Sequence, residues 1–163
     1  MNRGQKIRSF DYVNHPFETV REALSADPLT VFQAATKTAA ARANSLVCEL
    51  SIDLGGIKLG ADISIVVKNI VHSPAAGAAG PSTVIHLEWE AANMQHLFPF
   101  MKAELAIYPL TATETQLDFS GVYAPPLGVL GRAVTAVVGH RIAESSVHRF
   151  ISDVAEHLRA SLR

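Results

Sequence analysis

The stretch from Ser120 to Val134 reads SGVYAPPLGVLGRAV. A strand-like alternation stops at Pro125-Pro126, passes Gly128 and Gly131, and enters an amphipathic run that extends from Leu130 to Leu162. Proline cannot donate to a β-ladder and glycine permits a tight backbone, so the chain turns here. A long helix placed directly after a strand implies a sheet with a face to cover.

Working back from this turn, the sequence keeps period two, the signature of half-buried strands. Leu117, Phe119 and Tyr123 alternate with Glu114, Gln116 and Asp118. Ala103, Leu105 and Ile107 alternate with Lys102 and Glu104, and Ile85, Leu87, Trp89 and Ala91 with His86, Glu88 and Glu90. Further upstream, Leu46–Leu54 and Ile57–Val71 alternate in the same way around Gly55-Gly56, a two-residue hairpin signal. Ile7–Val13 is another strand, ended by His15-Pro16, and Phe17–Ala23 a short helix. Asp27-Pro28 opens a second, Ala-rich helix as far as about Ala43. Short links and clean alternation predict an antiparallel sheet with one wet and one covered face. The covered face is expected to include Phe10, Tyr12, Cys48, Ile65, Leu87, Trp89, Ile107, Phe119 and Tyr123.

Composition narrows the class. The chain has 163 residues, 48% hydrophobic and 18% charged, which fits one globular domain spanning residues 1–163. A net charge of -1 without a basic block gives no reason to expect a nucleic-acid partner. The single cysteine, Cys48, excludes an internal disulfide and a multi-cysteine zinc site. No apolar h-region opens the chain and no stretch approaches the roughly 20 apolar residues of a membrane span, so a cytoplasmic protein is expected. P-loop, dinucleotide and nucleophile-elbow motifs are absent from the sequence, and no cofactor is expected.

The order of strand, two helices, antiparallel strands and long C-terminal helix resembles the helix-grip fold of the START-like (SRPBCC) superfamily. That group includes lipid-transfer domains, pollen-allergen-like proteins, coenzyme-Q-binding proteins and polyketide cyclases. The segment DYVNHPFETVREAL, with His15-Pro16-Phe17-Glu18 and Val20, is similar to the superfamily's opening strand and helix. ETQLDFSGVYAPPLGVLGR is similar to its last strand and entry to the grip helix. The resemblance implies an α+β helix-grip domain: a curved antiparallel sheet of six or seven strands wrapped on the C-terminal helix. Six strands are read here against the usual seven, which leaves room for a short strand in the Ala-rich segment. It also implies a mostly apolar cavity between sheet and helix.

At about 100° per residue, Ala133, Ala136, His140, Ala143, Val147, Ile151, Val154 and Leu158 share one helix stripe. Its first half is small and its second half bulky, so space is expected under the first half. His140 is the one ionisable group on that small half, able to anchor a polar group or move a proton. Arg141 lies one step round and can clamp an anion or simply lie on the rim. Tyr12, Ile65, Leu87, Trp89, Ile107, Phe119, Tyr123, Ala136, His140 and Arg141 are the candidate ligand-binding residues. His140, Glu144 and His148 follow at i, i+4 and i+8, but without an HExxH pattern or a third ligand a solvated face is expected, not a metal site. The apolar link HLFPFM (His96–Met101) reads equally as a gate or as packing for the N-terminal helices.

Three functions follow. The first is a non-enzymatic carrier of a small hydrophobic molecule such as a lipid, quinone, polyketide or aromatic metabolite. The second is a cyclase/dehydratase-type enzyme using the same cavity, with His140, Arg141 or a tyrosine assisting. The third is a protein-interaction module. The expected partner is the small molecule, with the chain a monomer or homodimer.

Overall fold

The alternating segments form one seven-stranded sheet in the computed structural model, which describes residues 5–36, 41–42, 45–54, 57–91, 100–123 and 132–162. The elements are β1 (Gln5–Val13), α1 (Phe17–Ala26), α2 (Pro28–Thr36), β2 (Ala41–Arg42), β3 (Ser45–Leu54), β4 (Ile57–Ser73), β5 (Ser82–Ala91), β6 (Met101–Thr111), β7 (Glu114–Tyr123) and α3 (Arg132–Ser161). All pairs are antiparallel and the strand order is β1-β7-β6-β5-β4-β3-β2. Only β1 crosses the molecule to find its partner. This is the expected α+β helix-grip arrangement, with two short helices after the first strand.

The seventh strand is β2, in the segment expected to be helical. Its residues pair Ala41 with Leu46 and Arg42 with Ser45. Asp27 caps α2 as its sequence suggests: the carboxylate accepts the Thr30 N–H at 3.2 Å and the Thr30 hydroxyl at 2.6 Å. Those two bonds hold the Asp27 carboxyl below its ordinary value. Pro28 supplies the first helical residue. The helix is described as far as Thr36, whose hydroxyl donates to the Phe32 carbonyl at 2.7 Å; residues 37–40 of the expected Ala-rich helix lie outside the described residues. Alanine alone does not prolong a helix once strand pairing is available.

Register lines the inward residues into rows across the sheet. Ile65, Trp89, Met101 and Tyr123 form one row. Leu87, Ala103, Gly121 and Ile7 form the next. Ile85, Leu105, Phe119 and Ser9 form the third. In the middle row glycine has a packing reason: a Cβ on Gly121 would lie 2.5 Å from Met101 Sδ. Met101 therefore occupies the space over Gly121.

In β1 the expected face is reversed. Ile7, Ser9 and Val13 are buried, whereas Phe10 is 64% and Tyr12 48% exposed. Both faces of this strand mix apolar and polar residues, so hydrophobicity alone did not choose. The polar partners decide. Facing outward, Arg8 forks onto Asp118 at 2.7 and 3.1 Å. Facing inward, Ser9 meets His148 Nδ1 at 3.3 Å. Asp11 and the Tyr12 carbonyl receive Arg159 from α3, whose guanidinium also stands 5.0 Å from the Tyr12 ring.

On the covered face α3 buries Ala143, Ser146, Val147, Phe150, Ile151, Val154, Ala155 and Leu158, a period of 3.6. Phe150 is the hub. Its ring meets Phe32 at 5.1 Å, Trp89 at 5.3 Å and Phe119 at 6.3 Å, all edge-to-face. Trp89 and Phe119 meet each other at 5.7 Å. From α1 and α2, Phe17, Val20, Leu24 and Leu29 close the same core.

Candidate functional site

The candidate residues do not converge on one place. Ile65, Trp89, Ile107 and Phe119 are fully buried, the two aromatics within the Phe150 cluster. Leu87 is buried in the row with Ala103 and Gly121. Tyr12 lies on the outer face against Arg159, contrary to its expected covered position. Arg141 is exposed on α3. Ala133 and Ala136 fall on the α3 backbone, but their side chains lie outside the described residues. So do the side chain of Cys48, the turn 124–131 and most of the 96–101 link, where Phe100 is exposed and Met101 buried.

Two of the candidates meet. Tyr123 ends β7 and points inward by strand alternation; His140 lies on α3. The Tyr123 hydroxyl is 2.9 Å from His140 Nδ1, and the rings stack at 6.1 Å and 25°. One helical turn on, Glu144 places a carboxylate oxygen 3.4 Å from His140 Nε2. A phenol, an imidazole and a carboxylate thus form a chain from interior to surface: Tyr123 is 2% exposed, and the His140 and Glu144 side chains are 37% and 66% exposed. Burial, and then the charge of Glu144, pushes the Tyr123 phenol above its ordinary value. It is therefore a proton-bearing donor at neutral pH. An imidazole facing a carboxylate through Nε2 favours the proton there, leaving Nδ1 to accept from the phenol.

The i, i+4, i+8 series divides. His140 and Glu144 face each other and Tyr123, while His148 turns to Ser9 on β1. Glu144 enters the site as the imidazole's partner, a role that its spacing from His140 already permits. The Tyr123–His140 contact had no comparable signal, because its two residues lie on different elements, 17 positions apart. Phe150 was readable: it lies seven residues after Ala143, on the same face.

A groove of about 850 Å³ lies elsewhere, on the outer face of the sheet, lined by Lys6, Arg8, Lys102, Ser120 and Val122 among others.

No family model matches the sequence, and no curated protein matches it. Solved structures do resemble the fold. An aromatase/cyclase from a Streptomyces species is similar over 96% of this chain and 94% of its own, with a TM-score of 0.58 and 17% identity. A conserved protein from Geobacillus kaustophilus is similar over 98% of both chains, with a TM-score of 0.52 and 15% identity. A Thermus thermophilus protein is similar over 96% of this chain and 99% of its own, with a TM-score of 0.52 and 14% identity. The shared architecture is the helix-grip fold. Among the described residues no helix is long and apolar enough to cross a membrane.

Proposed function

We propose that the chain binds a small hydrophobic molecule between the sheet and the first half of α3, with Tyr123 and His140 as its polar contacts. The observation that carries this reading is the Tyr123–His140–Glu144 chain at the end of β7, two residues from Gly121, over which Met101 lies. Methionine is the side chain best suited to move aside for a guest. Both imidazole nitrogens have partners, so a ligand carbonyl would compete with His140 for the phenol hydrogen. Pockets of this kind are apolar with a few placed polar groups.

The same chain favours a second reading, a cyclase-type enzyme. A phenol backed by an imidazole and a carboxylate can hydrogen-bond a carbonyl oxygen and exchange a proton with it. The Streptomyces neighbour is an aromatase/cyclase. A fold this versatile does not carry function with it, so the residues must decide.

The test is thermal shift and binding with paired apolar probes that differ by one carbonyl. A probe at a hundredfold excess over Kd stabilises by about 2.7 kcal/mol, several degrees in Tm for a domain of this size. Tyr123→Phe is expected to keep the hydrocarbon probe and lose about two- to tenfold of the preference for its carbonyl analogue, one neutral hydrogen bond. Failure of every apolar probe to raise Tm would overturn the carrier reading. Carbonyl-substrate turnover by the native chain, abolished in His140→Ala with binding retained, would move the enzyme reading to first place.

A further inference from the structure

We propose that the groove on the outer face of the sheet is a second binding site, for a small amphiphilic anion: a carboxylate, sulfonate or phosphate on an apolar body. It lies on the opposite face of the sheet from the Tyr123 site and is independent of it.

The groove is built by register. Val122 on β7 pairs with Lys6 of β1 on one side and Lys102 of β6 on the other. Ser120 pairs with Arg8 and Glu104 in the same way. All of these line the groove. Its floor is therefore short and largely apolar at β7, where Ser120 and Val122 flank Gly121, while long charged side chains stand on both sides. Val122 is 48% exposed among the charged side chains that line the groove.

Charge is distributed unevenly along it. At the β5 and β4 end the side chains have partners: Lys68 stands 3.9 Å from Glu88, and the His86 imidazole 3.6 Å from Glu104. At the β1 end Arg8 is bound to Asp118 through two bonds, and Asp118 also accepts the Tyr108 hydroxyl at 3.2 Å. Lys6 and Lys102 have no ion pair among the described residues. Two ammonium groups outside any such ion pair thus flank an exposed valine, Lys102 standing opposite Glu88 in register, with the Ser120 hydroxyl one step along the strand. A volume of about 850 Å³ suits a small molecule more than a protein surface. An anionic head between the lysines places the apolar body on Val122 and the lysine stems, which are themselves apolar.

The probe is anilinonaphthalene sulfonate, with neutral phenylnaphthylamine as its uncharged counterpart, read by fluorescence on the full chain. The Lys6→Glu/Lys102→Glu double variant is expected to weaken the sulfonate probe at least tenfold and leave the neutral probe within twofold. Wild-type affinity for the sulfonate is expected to fall several-fold between low and moderate salt, since both lysines are exposed. Lys6→Gln/Lys102→Gln, with unchanged circular dichroism and Tm, separates loss of attraction from misfolding and should show an intermediate loss. Tyr123→Phe should leave the salt-dependent phase untouched. Unchanged sulfonate binding in the charge-reversed chain would overturn the proposal, as would an equal loss of both probes. Capture of an acidic peptide or of phosphatidylserine vesicles through these lysines, without the small probe, would also overturn it.

Discussion

At the residue scale, Tyr123 is the informative side chain. Its phenol is raised by burial and by Glu144, and that of Tyr108 by burial and by Asp118. Both should ionise late in a spectrophotometric titration, above the ordinary phenol value of about 10. Tyr123→Phe should remove one late-titrating group. Glu144→Gln should bring the Tyr123 transition down, because it removes a like charge without changing burial. The linkage has a definite sign. A raised acid pKa means that the folded state retains a proton the unfolded chain has released, so this contribution to stability is complete below the unfolded value and is lost as pH rises through the folded one. Stability should therefore decline above pH of about 10, less steeply in Tyr123→Phe than in the native chain. Equal alkaline profiles for the two proteins would contradict the assigned environment.

At the element scale, α3 divides by what it buries. From Ala143 onward its inner stripe is closed by core residues, and Phe150 makes edge-to-face contacts with Trp89, Phe119 and Phe32, which come from two strands and a helix. Phe150→Ala should destabilise by about 3–5 kcal/mol and Leu158→Ala by about 2–5 kcal/mol, measured by denaturant unfolding. Glu156→Ala, at an exposed position on the same helix, should stay within about 0.5 kcal/mol. Similar losses at Phe150 and Glu156 would show that the stripe is misoriented. This stripe was legible in the sequence, as were β5, β6 and β7, because strict periodicity and one-sided apolar faces fix orientation. Two features were not legible. In β1 each face carries both apolar and polar residues, so orientation followed from Arg8, Ser9 and Asp11 finding partners on distant elements. The end of α2 was obscured by alanine, which suits a helix and does not forbid a two-residue strand. Of the candidate site, His140 was legible as the ionisable group on the small half of the stripe. Tyr123 was legible as a residue of the covered face, but its pairing with His140 was not, because a contact between a strand and a helix 17 residues apart leaves no periodic trace.

At the scale of the whole molecule, the sheet order sets how the chain must assemble. Six of the seven strands follow one another as neighbours, whereas β1 pairs with β7, and Arg8 reaches Asp118 across a separation of 110 residues. Closing so long a loop carries an entropy loss that only later contacts offset, so such pairings form late and slow folding. The β5-β6-β7 meander can form locally, and α3 then has a surface on which to dock. The first strand completes the structure by inserting Ile7 beside Gly121 and by tying itself to α3 through Arg159. This order makes a kinetic prediction. Ile7→Ala should destabilise by about 2–5 kcal/mol, since Ile7 is buried. If β1 docks after the transition state, that loss falls on unfolding: at 2 kcal/mol the unfolding rate rises about thirtyfold while the folding rate hardly changes. Leu105→Ala, in the middle of the meander, should divide its effect between both rates. Chevron plots for the two variants decide the matter, because a folding rate slowed as much by Ile7→Ala as by Leu105→Ala would place β1 in the nucleus and reverse the assembly order.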